Sequence, residues 1–125
     1  MAKILVVDDE TDLEVLIKQK FRKQIRQQKY EFFFAINGKD ALEKLSDQPD
    51  VDIVLSDINM PEMSGMELVK KVREMDSCKD LKIVMVSTES AQDLIDGVIA
   101  DGANGFITKP FTPEKFKEEL SSFMN

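Results

Sequence analysis

Four short apolar runs each lead into polar residues of the kind that phosphoryl chemistry on a carboxylate requires. Residues 4–7 lead into Asp8 and Asp9, 53–56 into Asp57, 83–86 into Ser87, and 106–108 into Lys109 and Pro110. A carboxylate can attack phosphorus directly and form an acyl phosphate. The incoming group is negative, so its transfer needs a metal on one side and a cation on the other. Asp57, alone at the end of the middle run, is the candidate nucleophile, Lys109 the candidate cation, and Ser87 the hydroxyl that donates to a phosphoryl oxygen. Carboxylates brought within about 4 Å repel by roughly 1 to 4 kcal/mol per pair. A cluster of Asp8, Asp9 and Asp57 therefore calls for protonation, a cation or a bound metal. Oxygen ligands with open positions suit Mg²⁺.

These residues act together only if the runs are neighbouring parallel strands, whose carboxyl ends would line one crevice. The chain reads that way. Strand-like segments at 3–7, 30–36, 52–56, 82–87 and 105–108 alternate with helical patterns at 11–28, 38–45, 65–75, 91–100 and 113–123. In the first helix Leu13, Leu16, Ile17, Phe21 and Ile25 recur at helical spacing. Five strand-helix units in series predict one α/β domain over residues 1–125, with a parallel sheet, helices on both faces and right-handed crossovers. Thr11 with Glu14 forms a capping-box pattern, and Thr112-Pro113 puts proline at the first position of the last helix. Pro49, Pro61 and residues 102–105 punctuate loops.

Composition narrows the function. With 125 residues and 42% hydrophobic content, the chain can bury a core without staples. No apolar stretch approaches the roughly 20 residues of a membrane span. The first run stops at Asp8, short of a secretory h-region. The single cysteine, Cys78, excludes an internal disulfide and fits a reducing, cytoplasmic setting. A net charge of −7 argues against nucleic-acid binding, and the absence of histidine excludes a histidine base, metal ligand or phosphohistidine within this chain.

Taken together, Asp8-Asp9-Glu10, Asp57 with Met60-Pro61 and Gly65, Ser87, and Lys109-Pro110-Phe111 resemble the signature of the receiver domain of bacterial response regulators. The resemblance runs the length of the chain, in order and at the family's spacing. It implies a flavodoxin-like five-stranded sheet of order 2-1-3-4-5, with five helices on its two faces, as in a chemotaxis receiver. It implies that Asp57 accepts a phosphoryl group from a partner's phosphohistidine, carried by a histidine kinase or a histidine phosphotransfer protein. Asp8, Asp9 and Asp57, with the backbone carbonyl of Asn59, would hold Mg²⁺, and Lys109 would pair with the phosphoryl group. Ser87 and Phe106 would be the switch pair, the hydroxyl moving to the phosphoryl group and the ring swinging inward. The fourth helix, fifth strand and fifth helix would then repack toward a downstream output protein or a fused output domain. Asn59 and Glu89, two residues beyond Asp57 and Ser87, would tune the lifetime of the phosphorylated state. Such a chain is no enzyme beyond assisting its own phosphorylation and dephosphorylation.

Some features depart from this pattern or add to it. Phe106 lacks the tyrosine hydroxyl often found there. Gly97 lies inside the fourth helix and weakens it by about 1 kcal/mol relative to alanine, so that helix should be easily remodelled. Lys18, Arg22, Arg26 and Lys29 fall along one side of the first helix, which in receivers often docks the phosphodonor; a solvated face is the plainer reading. Phe32, Phe33 and Phe34 read as core of a strand covered on both faces, although the strand should lie at the sheet edge.

Three other functions share parts of this pattern. A dehalogenase-type phosphatase needs a second aspartate two residues after the nucleophile, where this chain has Asn59. A flavodoxin must cradle a flavin phosphate where Asp8, Asp9 and Glu10 would repel it. A receiver-fold scaffold that takes no phosphate and acts by protein contact is the alternative that only chemistry separates.

Overall fold

A computed structural model describes residues 2–10, 12–48, 50–58, 63–76, 80–88, 91–108 and 112–123. The readings made at Thr11, Pro49 and Cys78 lie outside these. Its strands are β1 (Ala2–Val7), β2 (Tyr30–Ala35), β3 (Ile53–Asp57), β4 (Lys82–Ser87) and β5 (Gly105–Thr108). All pair in parallel in the order β2-β1-β3-β4-β5, as the sequence led us to expect.

The three central strands are buried nearly throughout because helices cover both faces of the sheet, which removes any alternation of apolar and polar residues. Side chains still alternate between two cores. Leu5, Val7, Val54, Ile83 and Met85 pack with α3 (Gly38–Asp47), α4 (Gly65–Glu74) and α5 (Gln92–Ala100). Ile4, Val6, Ile53, Leu55, Val84 and Val86 pack on the other face with Ile17, Phe21 and Phe116.

One helix differs from expectation. The predicted segment 11–28 divides into α1 (Asp12–Lys20) and α2 (Arg22–Arg26), so among the described residues there are six helical segments with α6 (Pro113–Phe123) rather than five. Phe21 interrupts the regular dihedrals at φ −110° and ψ 19°. Its amide still donates to the Ile17 carbonyl at 2.9 Å, and its carbonyl accepts from the Ile25 amide at 2.9 Å, so one rod continues through the break. The Phe21 ring is buried against Tyr30, Phe32 and Phe116, with centroids 5.1–5.9 Å apart. Thr112 caps α6 through its Oγ1, which accepts from the Lys115 amide at 3.1 Å.

The edge position of β2 shows in its burial. Phe32, Phe33 and Phe34 are half-buried, Phe33 against one core and Phe32 and Phe34 against the other, because no further strand covers their outer side.

Candidate functional site

Strand register assembles the site. Val7 lies opposite Ser56 and Asp57 opposite Val86, so Asp8, Asp57 and Ser87 fall within one step of the same row at the carboxyl edge of the sheet. Ser87 in turn lies opposite Thr108, the last described residue before Lys109.

Carboxylate oxygens of Asp8, Asp9 and Asp57 all lie within 4.8 Å of one another. Asp8 is buried, Asp57 half-buried and Asp9 exposed. Asp8 is fixed from two directions. Its amide donates to the Ala35 carbonyl at 3.1 Å, and its Oδ1 accepts from the Glu10 amide at 2.9 Å. A small cleft of about 40 Å³ opens beside Asp8 and Asp9, with Glu10 and Glu14 also on its wall. Three oxygens so placed, from residues at graded depth, fit a hard divalent cation that keeps part of its water shell.

Ser87 is buried at the end of β4. It does not cap α5, whose N-cap is Ala91. Phe106, half-buried on β5 opposite Met85, packs on the core face that carries α3, α4 and α5. Asn59, Met60, Pro61, Glu89, Lys109, Pro110 and Phe111 lie outside the described residues.

Two residues that the sequence reading had not assigned a role hold Asp57 in place. Ser56 is fully buried and its hydroxyl donates to the Asp57 backbone carbonyl at 3.0 Å. Gly65, the first residue of α4, donates its amide to the Ile58 carbonyl at 2.8 Å, and a β-carbon there would lie 2.6 Å from the Asp57 carbonyl oxygen. A lone serine closing an otherwise apolar buried strand was the available signal for the first. In the sequence Gly65 stands out only as part of a motif.

A doubly wound parallel sheet of order 2-1-3-4-5 with an acidic cluster at its carboxyl edge defines a flavodoxin-like fold. The sequence profile of the response regulator receiver domain matches residues 4–121, and the chain belongs to that family. It is 38% identical over 122 residues to a chemotaxis protein CheY homolog of Campylobacter jejuni, covering 98% of this chain and 92% of that one. It is also 38% identical over 118 residues to the chemotaxis protein CheY1 of Helicobacter pylori, covering 94% and 93%. Among solved structures, chemotaxis protein CheY4 of Vibrio cholerae superposes with a TM-score of 0.88 at 34% identity over 99% of both chains. None of the helices described here is long and apolar enough to cross a membrane.

Proposed function

We propose that this receiver accepts a phosphoryl group on Asp57 from a phosphohistidine of a histidine kinase or a phosphotransfer protein, and passes the signal on by changing shape. The observation that carries the reading is the gathering of Asp8, Asp9 and Asp57 oxygens within 4.8 Å at the sheet edge, one register step from Ser87.

In the transfer, an Asp57 oxygen attacks phosphorus while the bond from phosphorus to the donor's imidazole nitrogen breaks. The electron pair of that bond stays on the nitrogen, which takes up a proton, and Asp57 becomes an acyl phosphate. Hydrolysis reverses the modification: water attacks phosphorus, the acyl phosphate P–O bond breaks, and the carboxylate returns with release of inorganic phosphate. Asp8, Asp9, Asp57 and the Asn59 carbonyl would hold Mg²⁺, which supplies positive charge against the phosphoryl oxygens. Lys109 pairs with a phosphoryl oxygen and Ser87 donates its hydroxyl to another. Asn59 and Glu89 would set how readily water reaches the phosphoryl group. Ser56 and Gly65 hold the strand end from which Asp57 projects.

The readout runs through α5, β5 and α6, the fourth helix, fifth strand and fifth helix of the simpler count. Two features support this. Of α5 only Val98 is fully buried, so the helix has little packing to break, and Phe106 is only half-buried. The partner on that face is an output protein or a fused output domain, in a cytoplasmic setting.

The test is intact mass after incubation with acetyl phosphate and Mg²⁺. A labile gain of one phosphoryl group is expected for the wild type, and none for Asp57→Asn or without metal. No gain in the wild type would leave a receiver-fold scaffold acting by contact alone.

A further inference from the structure

A groove beside the edge strand lies apart from the acid site. It has a volume of about 760 Å³ and lies between α1 and α2 on one side and β2 on the other. Tyr30, Phe32 and Phe34 form its floor, the last two stacked at 6.5 Å between centroids.

The backbone of the same three residues faces outward. Ala2 donates its amide to Lys29 and Asp8 donates to Ala35, so β1 is bonded to the odd-numbered residues of this strand. In a parallel ladder, alternate residues direct both backbone groups to the same neighbour. The N–H and C=O groups of Tyr30, Phe32 and Phe34 therefore point to the open edge, since β2 is the outermost strand. Aromatic side chains and unused strand edge belong to one set of residues.

The rim is basic in a chain of net charge −7. Lys18, Arg22 and Arg26 line it. Lys18 is paired with Glu14 at 3.1 Å and sits over the Phe34 ring, but among the described residues neither arginine forms an ion pair. The acid that lines the groove, Glu31, is within electrostatic reach of Lys3.

We infer that this groove binds an extended acidic segment of a partner protein, added as a sixth strand at the β2 edge, with apolar and acidic residues taking turns at every second position so that both face the groove, the apolar ones on the aromatic floor and the acidic ones toward Arg22 and Arg26. Strand addition supplies affinity through the backbone and specificity through alternate side chains. A second copy of this chain fits worse. A twofold contact through this face would set each basic rim against its own copy. The inference is independent of phosphorylation, and Asp57→Asn should leave it intact.

The test uses the full chain and a fluorescein-labelled peptide, Val-Ser-Glu-Ser-Leu-Ser-Asp-Ser, whose valine, glutamate, leucine and aspartate share one face of the strand, read by anisotropy and by amide shifts. We expect saturable binding, with shifts centred on Tyr30, Phe32 and Phe34. Arg22→Glu with Arg26→Glu, both exposed positions, should weaken it about tenfold, and a lysine-for-acid peptide should not bind. N-methylation of the amides along one edge of the peptide should abolish binding, and along the other edge should leave it. The inference is overturned by the absence of saturation, by indifference to the arginine reversals, by survival of both methylated peptides, or by shifts centred on α5, β5 and α6. A concentration-dependent dimer with shifts at the same β2 amides would overturn it in favour of a second copy.

Discussion

The Gly65 α-carbon stands so close to Asp57 that a β-carbon on it would come within 2.6 Å of the Asp57 carbonyl oxygen and 2.8 Å of the Ile58 α-carbon. Both neighbours are backbone, so neither can turn aside as a side chain would. Gly65→Ala should therefore push the start of α4 away from the end of β3, at a cost of about 1–3 kcal/mol. Because the displaced atoms belong to Asp57 and Ile58, the acetyl phosphate reaction should slow as well. Urea denaturation and intact-mass kinetics would check the pair. A variant as stable and as fast as wild type would mean that α4 tolerates the shift.

Arg73 ties the far end of the sheet together. Its Nε donates to the Gly102 carbonyl at 3.0 Å, one terminal nitrogen to the Leu81 carbonyl at 2.7 Å, and the other to Asn104 Oδ1 at 2.7 Å. Asn104 Oδ1 also accepts from the Ile83 amide at 2.9 Å, so one arginine connects α4 with the start of β4 and the turn before β5. Arg73→Ala leaves partly buried carbonyls without a charged donor and should cost about 2 kcal/mol. Arg73→Lys should recover only part of that, because an ammonium lacks the planar fork that reaches all three acceptors. Chemical denaturation of the two variants would separate them.

The contrast between these residues explains what a single sequence discloses. The five strands were legible because apolar runs between helical patterns are determined locally, and their order followed from the family resemblance. Asp8, Asp9, Asp57 and Ser87 were legible because each ends such a run. Arg73 was not, since its partner Asn104 lies 31 positions away and an arginine near the end of a helix reads as a surface charge. The break at Phe21 was also hidden. The apolar period continues through it, and only the packing of that ring against Tyr30, Phe32 and Phe116 accompanies the irregular dihedrals.

Gly97 lies in the middle of α5, where the nearest neighbour of an added β-carbon among the described residues would be the Met66 Cε at 3.8 Å, an ordinary contact. Gly97→Ala should then stabilise the chain by up to about 1 kcal/mol through helix propensity and a less flexible unfolded state. If α5 is remodelled in signalling, the same change should lower hydrogen exchange in that helix and reduce the activated population. Unchanged exchange would count against a soft helix.

At the start of α3 two side chains cap backbone amides. Asn37 Oδ1 accepts from the Asp40 amide at 2.7 Å, and Asp40 Oδ2 accepts from the Ile36 amide at 3.0 Å. Burial pushes the Asp40 carboxyl up, but the Ile36 amide and the Lys44 ammonium at 3.1 Å together hold it below the ordinary carboxylate value. A carboxyl lowered on folding stabilises the fold above its unfolded value, near pH 4, and that contribution is lost as pH falls through the lower folded value. Asp40→Asn should therefore be most destabilising near neutral pH, with the gap to wild type closing below about pH 4. Asn37→Ala should cost about 1 kcal/mol with little dependence on pH over that window. Urea midpoints across pH 3 to 7 would distinguish the two.

Asp9 is the exposed member of the acid cluster, with an oxygen within 4.8 Å of those of Asp8 and Asp57. Its charge has two opposite consequences. Without a cation it adds repulsion to two neighbouring carboxylates; with one it would contribute a ligand. Asp9→Asn should therefore leave the metal-free chain as stable as wild type or slightly more so, because an exposed site relieves only a small repulsion. Mg²⁺ at ten times its dissociation constant should stabilise the wild type by about 1.4 kcal/mol through mass action. The same concentration should stabilise the variant by much less. Thermal melts with and without Mg²⁺ give both comparisons in one experiment and do not depend on phosphorylation. Equal stabilisation of the two proteins would remove Asp9 from the metal site, while a loss of stability in the metal-free variant would show that its carboxylate has a structural role.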